Sequence, residues 1–296
     1  MKHARPRYLE SKRSVDDRAR SPRVRDRLLA ALPEEPLIVE AGCGTGVTVP
    51  QLLSWGVDAG QYRGIDTDER IVSFARRARP AALRWDGHRV SEDPSAHGST
   101  SRKVSGGRDF VVGDLGVSFG VGDALDALES SAGVDLVVAQ SFADLVPLSR
   151  LTSAIESALT SGGLAYLPLT FDGGTIFQPD HPADEAVERA YHAAMGTAPG
   201  RDVRAGRHLA HRFGQGEGDL LAAASSDWIV RPRKGRYVAD ERYFLSQILR
   251  FVERALATTE HAPGQFDSWL STRRRQLAGG TLFYSAHQYD LLYRAP

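Results

Sequence analysis

The chain has 296 residues, which is enough for one large domain that carries an insertion or a cap. Lys+Arg and Asp+Glu both number 37, so overall charge gives no support for a nucleic-acid partner. The single cysteine, Cys43, excludes an intrachain disulfide and a zinc cluster built from cysteines, and we expect no metal in the site. Residues 1–27 contain ten Lys or Arg and no apolar segment typical of a secretory signal. No apolar run approaches the roughly 20 residues that span a bilayer, so we expect a cytoplasmic protein without a membrane anchor.

Residues 1–36 are predicted to form a basic, helical N-terminal arm. Ser21 followed by Pro22 is typical of a helix start, and Pro33 and Pro36 mark its end. A charged arm of this kind is more often a solvated helix that covers one edge of the core than a binding element.

From Leu37 the pattern changes to short apolar strands that alternate with helices, which indicates a mostly parallel sheet with helical crossovers. We predict a doubly wound, seven-stranded, Rossmann-like core over residues 37–171. The stretch 86–108 is rich in serine, glycine and charge, and is interpreted as a mobile insertion within that core. The fifth strand is expected over residues 164–171.

The rest of the chain is predicted to contain a cap and the end of the core. Residues 172–219 read as a helical cap inserted after the fifth strand, with a helix that begins near Asp180 and contains Val187 and Tyr191. Residues 220–296 return to the core with strands, an amphipathic helix after Asp240, a second helix and a closing strand.

The strongest functional signal is an acidic residue followed by three glycines at alternate positions, Glu40 and then Gly42, Gly44 and Gly46, between a strand and a helix. Glycines allow the backbone to turn sharply and to approach a ligand closely. A dinucleotide-binding loop would require a third glycine where Val47 stands. Glu40 would also repel a pyrophosphate, whereas it suits a ligand that carries positive charge. An NAD(P)-dependent oxidoreductase is therefore disfavoured.

This motif resembles the first motif of the class I S-adenosylmethionine (SAM)-dependent methyltransferases. The resemblance extends over roughly residues 37–169 and implies that the three glycines wrap the methionine portion of SAM. It further implies that Glu40 positions the SAM amino group and that Cys43 lies in the same loop. The family's crossover into the fifth strand is matched by Leu159 to Leu164, with its pair of glycines.

Two further acidic residues fit the same ligand. Asp66, at the end of the second strand, is predicted to accept hydrogen bonds from the ribose hydroxyls of SAM, with Thr67 beside it. Family members carry an acidic residue after the third strand that binds the adenine amino group, and both Asp114 and Asp123 follow a glycine here. Asp123, followed by Ala124, is chosen because Asp114 would leave a strand over residues 117–121 unassigned.

Residues 134–144 resemble the fourth strand of that family and the loop at its carboxyl end, where ligands bind in open α/β sheets. Gln140 is predicted to contact SAM, and Ser141 to contact SAM or the acceptor. DNA amino-methyltransferases of this class carry an Asp/Asn-Pro-Pro-aromatic run here, and its absence disfavours that subclass.

We assign the acceptor site to the cap, where no sequence motif identifies the residues involved. Its aromatic residues Phe171, Phe177, Tyr191 and Phe213 are expected to line an apolar pocket or to pack in the core. Four cap histidines are candidate general bases, namely His181, His192, His208 and His211. His211 is the first candidate, although each histidine also fits a surface or structural role.

The function predicted is methyl transfer from SAM to a small-molecule acceptor, giving S-adenosylhomocysteine. Two alternatives remain: an RNA methyltransferase that uses the basic arm, and a non-catalytic SAM-binding protein. The sequence shows no RNA-binding module, so nucleic acid is not the expected partner. It leaves open the identity of the acceptor, the atom methylated and the oligomeric state.

Overall fold

A computed structural model describes residues 6–92, 107–257 and 262–296. The predicted insertion at 86–108 therefore lies largely outside the described residues. Within the described ranges the helices are α1 Pro6–Ser11, α2 Arg13–Ala19, α3 Pro22–Ala31, α4 Thr48–Ser54, α5 Glu69–Trp85, α6 Ala124–Glu129, α7 Leu148–Ala158, α8 Asp184–Met195, α9 Ala205–Gln215, α10 Glu241–Ala257 and α11 Phe266–Ala278. A short 3₁₀ turn spans Ala143–Leu145.

The described strands form one mixed sheet, with β1 Leu37–Ala41, β2 Ala59–Asp66, β3 Val90–Ser91, β4 Phe110–Val112, β5 Asp114–Val121, β6 Val134–Val138, β7 Leu159–Gln178, β8 Asp219–Ser225, β9 Trp228–Val230 and β10 Phe283–Arg294. Seven of them follow the order β5-β2-β1-β6-β7-β10-β8. The neighbours from β5 to β7 are parallel, and β10 is antiparallel to both β7 and β8. The doubly wound, mostly parallel sheet is therefore confirmed.

The predicted count of seven strands is wrong, because the sheet in the described residues has ten. Two of the extra strands, β4 and the two-residue β3, extend the sheet beyond β5 in antiparallel fashion. The third extra strand, β9, has a partner because β10 is twelve residues long. The second half of β10 pairs with β8, and its first half, at Tyr284 to Ala286, pairs with Trp228 to Val230 of β9.

The fifth strand is longer than predicted. Instead of ending at Phe171, β7 continues to Gln178, and the extension pairs with the start of β10. The first residues assigned to the cap thus belong to the sheet. The two cap helices, α8 and α9, lie between the end of β7 and the start of β8.

The core follows from strand alternation, which sends neighbouring side chains to opposite faces of the sheet. Val39 and Val137 belong to one apolar cluster, and Ile38 and Val138 to the other. The cap is integral to this core, since Phe213 of α9 is only 1% exposed and stacks on Tyr293 of β10 with ring centroids 4.4 Å apart.

Two helices begin at residues whose side chains accept hydrogen bonds from the free backbone N–H groups of the first helical turn. Ser21 accepts a hydrogen bond from the backbone N–H of Val24 at the start of α3. Asp68 accepts one from the N–H of Arg70 at the start of α5. In the described residues no helix is long and apolar enough to cross a membrane.

Candidate cofactor and acceptor site

The predicted cofactor residues lie at one edge of the sheet. Glu40 is near the end of β1, Asp66 ends β2, Asp123 follows β5 and Gln140 follows β6. Because these four strands are parallel, their carboxyl ends meet at the same edge, where open α/β sheets bind ligands.

The glycine loop has the backbone that its sequence requires. Gly42, Gly44 and Gly46 all have positive φ, at 70°, 53° and 73°. A Cβ atom on Gly42 would lie 2.5 Å from the ring of Phe142, and one on Gly46 would lie 2.5 Å from the ring of Phe119. Glycine is therefore required both by conformation and by space.

Asp66 is held directly against this loop. Its Oδ2 accepts a hydrogen bond of 3.0 Å from the backbone N–H of Gly44, and its Oδ1 accepts one of 3.0 Å from the N–H of Asp68. Each carboxylate oxygen retains a lone pair for a ligand hydroxyl. Thr67, the next residue, is exposed.

Glu40 lies beneath the loop rather than at its surface, with 2% of its area exposed. Its carboxylate accepts hydrogen bonds from Thr48 Oγ1 at 2.7 Å and from the Tyr62 hydroxyl. Burial raises the pKa of Glu40 to about 7, although both hydrogen bonds and Arg20 act in the opposite direction. Cys43 is also buried, and a Cβ on Gly64 would lie 2.7 Å from its Cβ.

The two aspartates that competed for the third position lie at opposite ends of β5. Asp114 begins the strand, and its backbone N–H donates to the carbonyl of Asp58. Asp123 follows the carboxyl end, where the neighbouring N–H of Gly122 donates to the carbonyl of Asp66. Asp123 is exposed and caps α6 through Oδ1, and the following Ala124 is buried.

The N-terminal arm covers part of this edge, which the sequence did not predict in detail. Gln140 accepts a hydrogen bond of 2.8 Å from Arg20, and Ser141 Oγ accepts one of 3.2 Å from Lys12 Nζ. Lys12 is paired in turn with buried Asp16 at 3.3 Å. Further along the edge, a Cβ on Gly44 would be 3.2 Å from Cδ1 of Leu9. The arm is thus an ion-paired cover over the edge, not merely a solvated helix.

Two non-glycine residues with left-handed backbone lie side by side at the same edge. Ser141 has φ of 47° and Leu169 has φ of 57°. The N–H of Ser141 donates to the carbonyl of Pro168, and the N–H of Leu169 donates to Asp290. Such conformations cost about 1–3 kcal/mol each and are concentrated at functional sites.

The aromatic residues assigned to the acceptor site have different surroundings. Tyr191 is buried in α8, and Phe171 makes an edge contact with the ring of His192 at 5.6 Å between centroids. Phe177 packs between Trp269 and Tyr284, as a core residue would.

The cap histidines also have distinct environments. His211 is exposed on α9, between the buried Leu209 and Phe213, so its position gives no support to a role as general base. His192 is half-buried, its Nε2 lies 2.8 Å from Thr175 Oγ1, and burial lowers its pKa. His208 pairs with Asp202 at 2.6 Å, and His181 accepts a hydrogen bond from the N–H of Ala183.

No role was predicted from the sequence for Asp144, a charged residue within the loop that follows β6. Asp144 lies in the 3₁₀ turn, and its backbone carbonyl accepts a hydrogen bond of 3.2 Å from the N–H of Asp202 in the cap. The position within the loop at the carboxyl end of β6 was the available signal. A separate cavity of about 660 Å³ lies among α1, α10 and α11, has Arg7, Arg242, Arg250 and Arg274 among its lining residues, and includes none of the predicted site residues.

Comparison with known proteins finds similar structures but no similar sequences. No protein-family model matches the sequence, and no curated protein matches it. A protein from Bacillus halodurans assigned as a methyltransferase is 12% identical, with 91% of this chain and 96% of that chain covered and a TM-score of 0.51. This likeness shows that the chain has the Rossmann-like fold of that protein.

Two other solved structures are similar to a lesser degree. A SAM-dependent methyltransferase from Thiobacillus denitrificans in complex with S-adenosylhomocysteine is 19% identical, with 99% and 100% of the two chains covered and a TM-score of 0.46. Geranyl diphosphate C-methyltransferase from Streptomyces coelicolor is 14% identical, with 92% of this chain and 75% of that chain covered and a TM-score of 0.43.

Proposed function

We propose that this protein is a SAM-dependent methyltransferase that acts on a small-molecule acceptor and releases S-adenosylhomocysteine. The observation that carries the proposal is the arrangement of Asp66 against the glycine loop, 3.0 Å from the N–H of Gly44. Glu40, Asp123 and Gln140 complete the same edge from three other strand ends. An edge with three carboxylates suits a cationic nucleoside and disfavours a pyrophosphate.

The residues present fit SAM in a second respect. The hydroxyl of Thr45, in the middle of the glycine loop, is buried without a hydrogen-bond partner among the described residues. Buried hydroxyls of this kind normally find a partner in water or a ligand. In this proposal Gly42 to Gly46 surround the methionine portion, Asp66 holds the ribose and Asp123 the adenine. When bound, SAM supplies an activated methyl group, and the protein aligns the acceptor with it.

The RNA methyltransferase alternative is not favoured by the charge of the arm. Its basic residues Lys12, Arg18 and Arg20 are paired with Asp16, Glu241 and Asp17, in that order. Cations neutralised in this way contribute little to a phosphate-binding surface. A non-catalytic SAM-binding protein is less consistent with the hydroxyls of Tyr8, Tyr191 and Tyr284, which have no hydrogen-bond partner among the described residues and are free to bind an acceptor. In keeping with a small-molecule enzyme, we expect the protein in the cytoplasm.

The proposal is tested by calorimetric titration with SAM, S-adenosylhomocysteine and NADH. Binding of the first two, and transfer of a labelled methyl group from SAM to a component of a metabolite extract, would support it. Tight binding of NADH without binding of SAM would contradict it. RNA binding with a steep dependence on salt would replace the small-molecule assignment with the RNA alternative.

A further inference from the structure

Three buried tyrosine side chains come from the arm, the cap and the last strand. Tyr8 of α1, Tyr191 of α8 and Tyr284 of β10 are 8%, 8% and 3% exposed. None of the three hydroxyls forms a hydrogen bond with another described residue. None of the three hydroxyls is among the fully enclosed polar atoms that lack a partner, so each reaches space that a small molecule can enter. A tyrosine hydroxyl in such surroundings usually binds water or a ligand.

The three phenols share one region of the protein. Tyr8 and Tyr284 both contact the ring of Phe244, with centroids 6.0 Å and 6.2 Å away. Burial raises the pKa of all three phenols, and Tyr284 is close enough to Tyr8 and Tyr191 for each to add to the effect. At neutral pH all three are therefore protonated and can donate hydrogen bonds.

Asp144 faces the same region from the loop after β6. It is among the charges that raise the pKa of both Tyr8 and Tyr191. Loss of surrounding water raises the pKa of Asp144 itself to about 6, while Arg201 and Lys12 lower it and Asp202 raises it. Asp202 Oδ2 in turn lies 2.6 Å from Nδ1 of His208.

Contacts on three sides fix the position of the loop that carries Asp144 relative to the glycine loop. Phe142, two residues before Asp144, has its ring against Gly42. On the arm side, Lys12 Nζ donates to Ser141 at 3.2 Å. On the cap side, the N–H of Asp202 donates to the carbonyl of Asp144 at 3.2 Å. These contacts place Asp144 and its loop between the glycine loop, the arm and the cap.

We propose that Tyr8, Tyr191, Tyr284 and Asp144 form the acceptor pocket, which takes a small molecule with an acidic hydroxyl, and that Asp144 is the catalytic base. The acceptor class is a phenol, an enol or a carboxylic acid. This inference rests on the proposed methyltransferase function, and it assigns the methyl group to oxygen.

The chemistry balances with the groups named. The carboxylate of Asp144 takes the proton of the acceptor hydroxyl, and the oxygen forms a bond with the methyl carbon. The bond between that carbon and sulfur breaks, and its electron pair stays on sulfur, which gives neutral S-adenosylhomocysteine and a methyl ether or ester. Asp144 then releases the proton to water.

The hydrogen-bond donors and positive charges around Asp144 favour oxygen over nitrogen as the atom that is methylated. The three phenols are available as hydrogen-bond donors, and Arg201 and Lys12 bring positive charge near Asp144. An oxyanion that develops during the reaction is stabilised by such donors. A protonated amine would find few acceptors among them and two cations close by.

The first test measures binding in the protein saturated with S-adenosylhomocysteine, with 4-nitrophenol and benzoate as probes of the phenol and carboxylic acid classes. We expect calorimetry to detect at least one of them. Tyr191→Phe, which removes only a hydroxyl, should raise the dissociation constant about tenfold. Glu185→Gln on the same helix, at an exposed carboxylate, is the matched control and should bind like wild type.

The second test measures turnover with labelled SAM. Asp144→Asn should lower kcat by about 100-fold or more, with binding of S-adenosylhomocysteine unchanged. Asp144→Glu should recover part of the activity. In wild type kcat should rise with pH through about 6, the pKa to which Asp144 is raised, and the residual activity of Asp144→Asn should lose that rise.

The outcomes separate this inference from the proposed function. If S-adenosylhomocysteine does not bind at all, the methyltransferase assignment fails. If it binds but neither probe does, if Tyr191→Phe binds as tightly as wild type, or if labelled products are N-methylated, the acceptor pocket is wrong while the function stands. Full activity of Asp144→Asn would remove Asp144 from catalysis.

Discussion

The indole N–H of Trp228 donates a hydrogen bond of 2.8 Å to the carboxylate of Asp16, and so joins the arm to β9 across 212 residues of sequence. The same carboxylate is paired with Lys12, whose ammonium also lies 5.5 Å from the centre of the Trp228 ring. Asp16 is 1% exposed and Lys12 is 7% exposed. This buried cluster holds the arm over the edge that carries the cofactor residues.

Asp16→Ala should therefore destabilise the arm strongly. Removing one partner leaves Lys12 buried without its counter-charge, which typically costs about 3–5 kcal/mol. The free energy of unfolding from urea titration, together with the protease sensitivity of residues 6–20, measures the effect. Asp26→Ala is the control, because Asp26 is exposed, its partner Arg25 is partly exposed, and such pairs contribute about 0–1 kcal/mol. Equal losses in the two variants would show that the cluster does not hold the arm.

Asp66→Ala should weaken binding of S-adenosylhomocysteine by about 1–3 kcal/mol. The variant loses charge-assisted hydrogen bonds to the ribose and the bond that fixes the N–H of Gly44. Calorimetry measures the change. Asp68→Ala, which removes only a helix cap, should reduce stability but leave the dissociation constant near that of wild type. A weaker Asp68→Ala complex with an unchanged Asp66→Ala complex would contradict the assignment.

Asp123→Ala should weaken binding of SAM, whereas Asp114→Ala should leave it nearly unchanged. The reason is position, since Asp123 follows the carboxyl end of β5 and Asp114 begins the strand at the opposite end. Calorimetric titration of both variants tests this. Because Asp123 also caps α6, the melting temperature of the Asp123→Ala protein must be measured as well. The reverse pattern of affinities would overturn the choice between the two aspartates.

Glu40 should make the stability of the free protein depend on pH. Its pKa is raised from an ordinary 4.5 to about 7, so the folded protein holds this proton more tightly than the unfolded chain. Stability should consequently fall as pH rises from about 4.5 to about 7, and this contribution should be constant above that. Urea titrations of wild type and Glu40→Gln measure it. An identical slope in the two proteins would show that Glu40 is ionised throughout.

The same carboxyl should couple SAM binding to proton release. A cationic ligand favours the ionised form of Glu40, so it should displace the proton when it binds at or below pH 7. Affinity for SAM should rise with pH up to about 7 and then level off. Calorimetry in buffers with different ionisation enthalpies counts the protons, and Glu40→Gln should release none. A pH-independent wild-type affinity would argue against contact between Glu40 and the positive charge of SAM.

The sequence determined the parts of the site that are local. Glu40 and the three glycines, Asp66 and Asp123 each follow or end a strand, so a short pattern of apolar residues and turn residues is enough to place them. Parallel pairing then brings their strand ends to one edge without further information. A count of the strands was also enough to expect Asp123, and not Asp114, at the carboxyl end of β5, where it lies; its contact with adenine stays a prediction.

The boundaries of the sheet were less accessible to sequence. The continuation of β7 to Gln178 depends on its partner β10, more than 100 residues later, because an isolated strand gains little from extension. The extra strands β3, β4 and β9 are likewise short edge elements, whose pairing is decided by the neighbour and not by their own composition.

Only the tertiary structure decided which residues form the proposed acceptor pocket. Tyr8, Asp144, Tyr191 and Tyr284 belong to the arm, a loop, the cap and the last strand, and no spacing in the sequence connects them. Their proposed role rests on the surroundings of the four side chains, which depend on how distant elements pack. For the same reason the basic arm could be recognised from its composition, whereas its ion pairs with Asp16 and Glu241 could not, since charge counts do not show which charges meet.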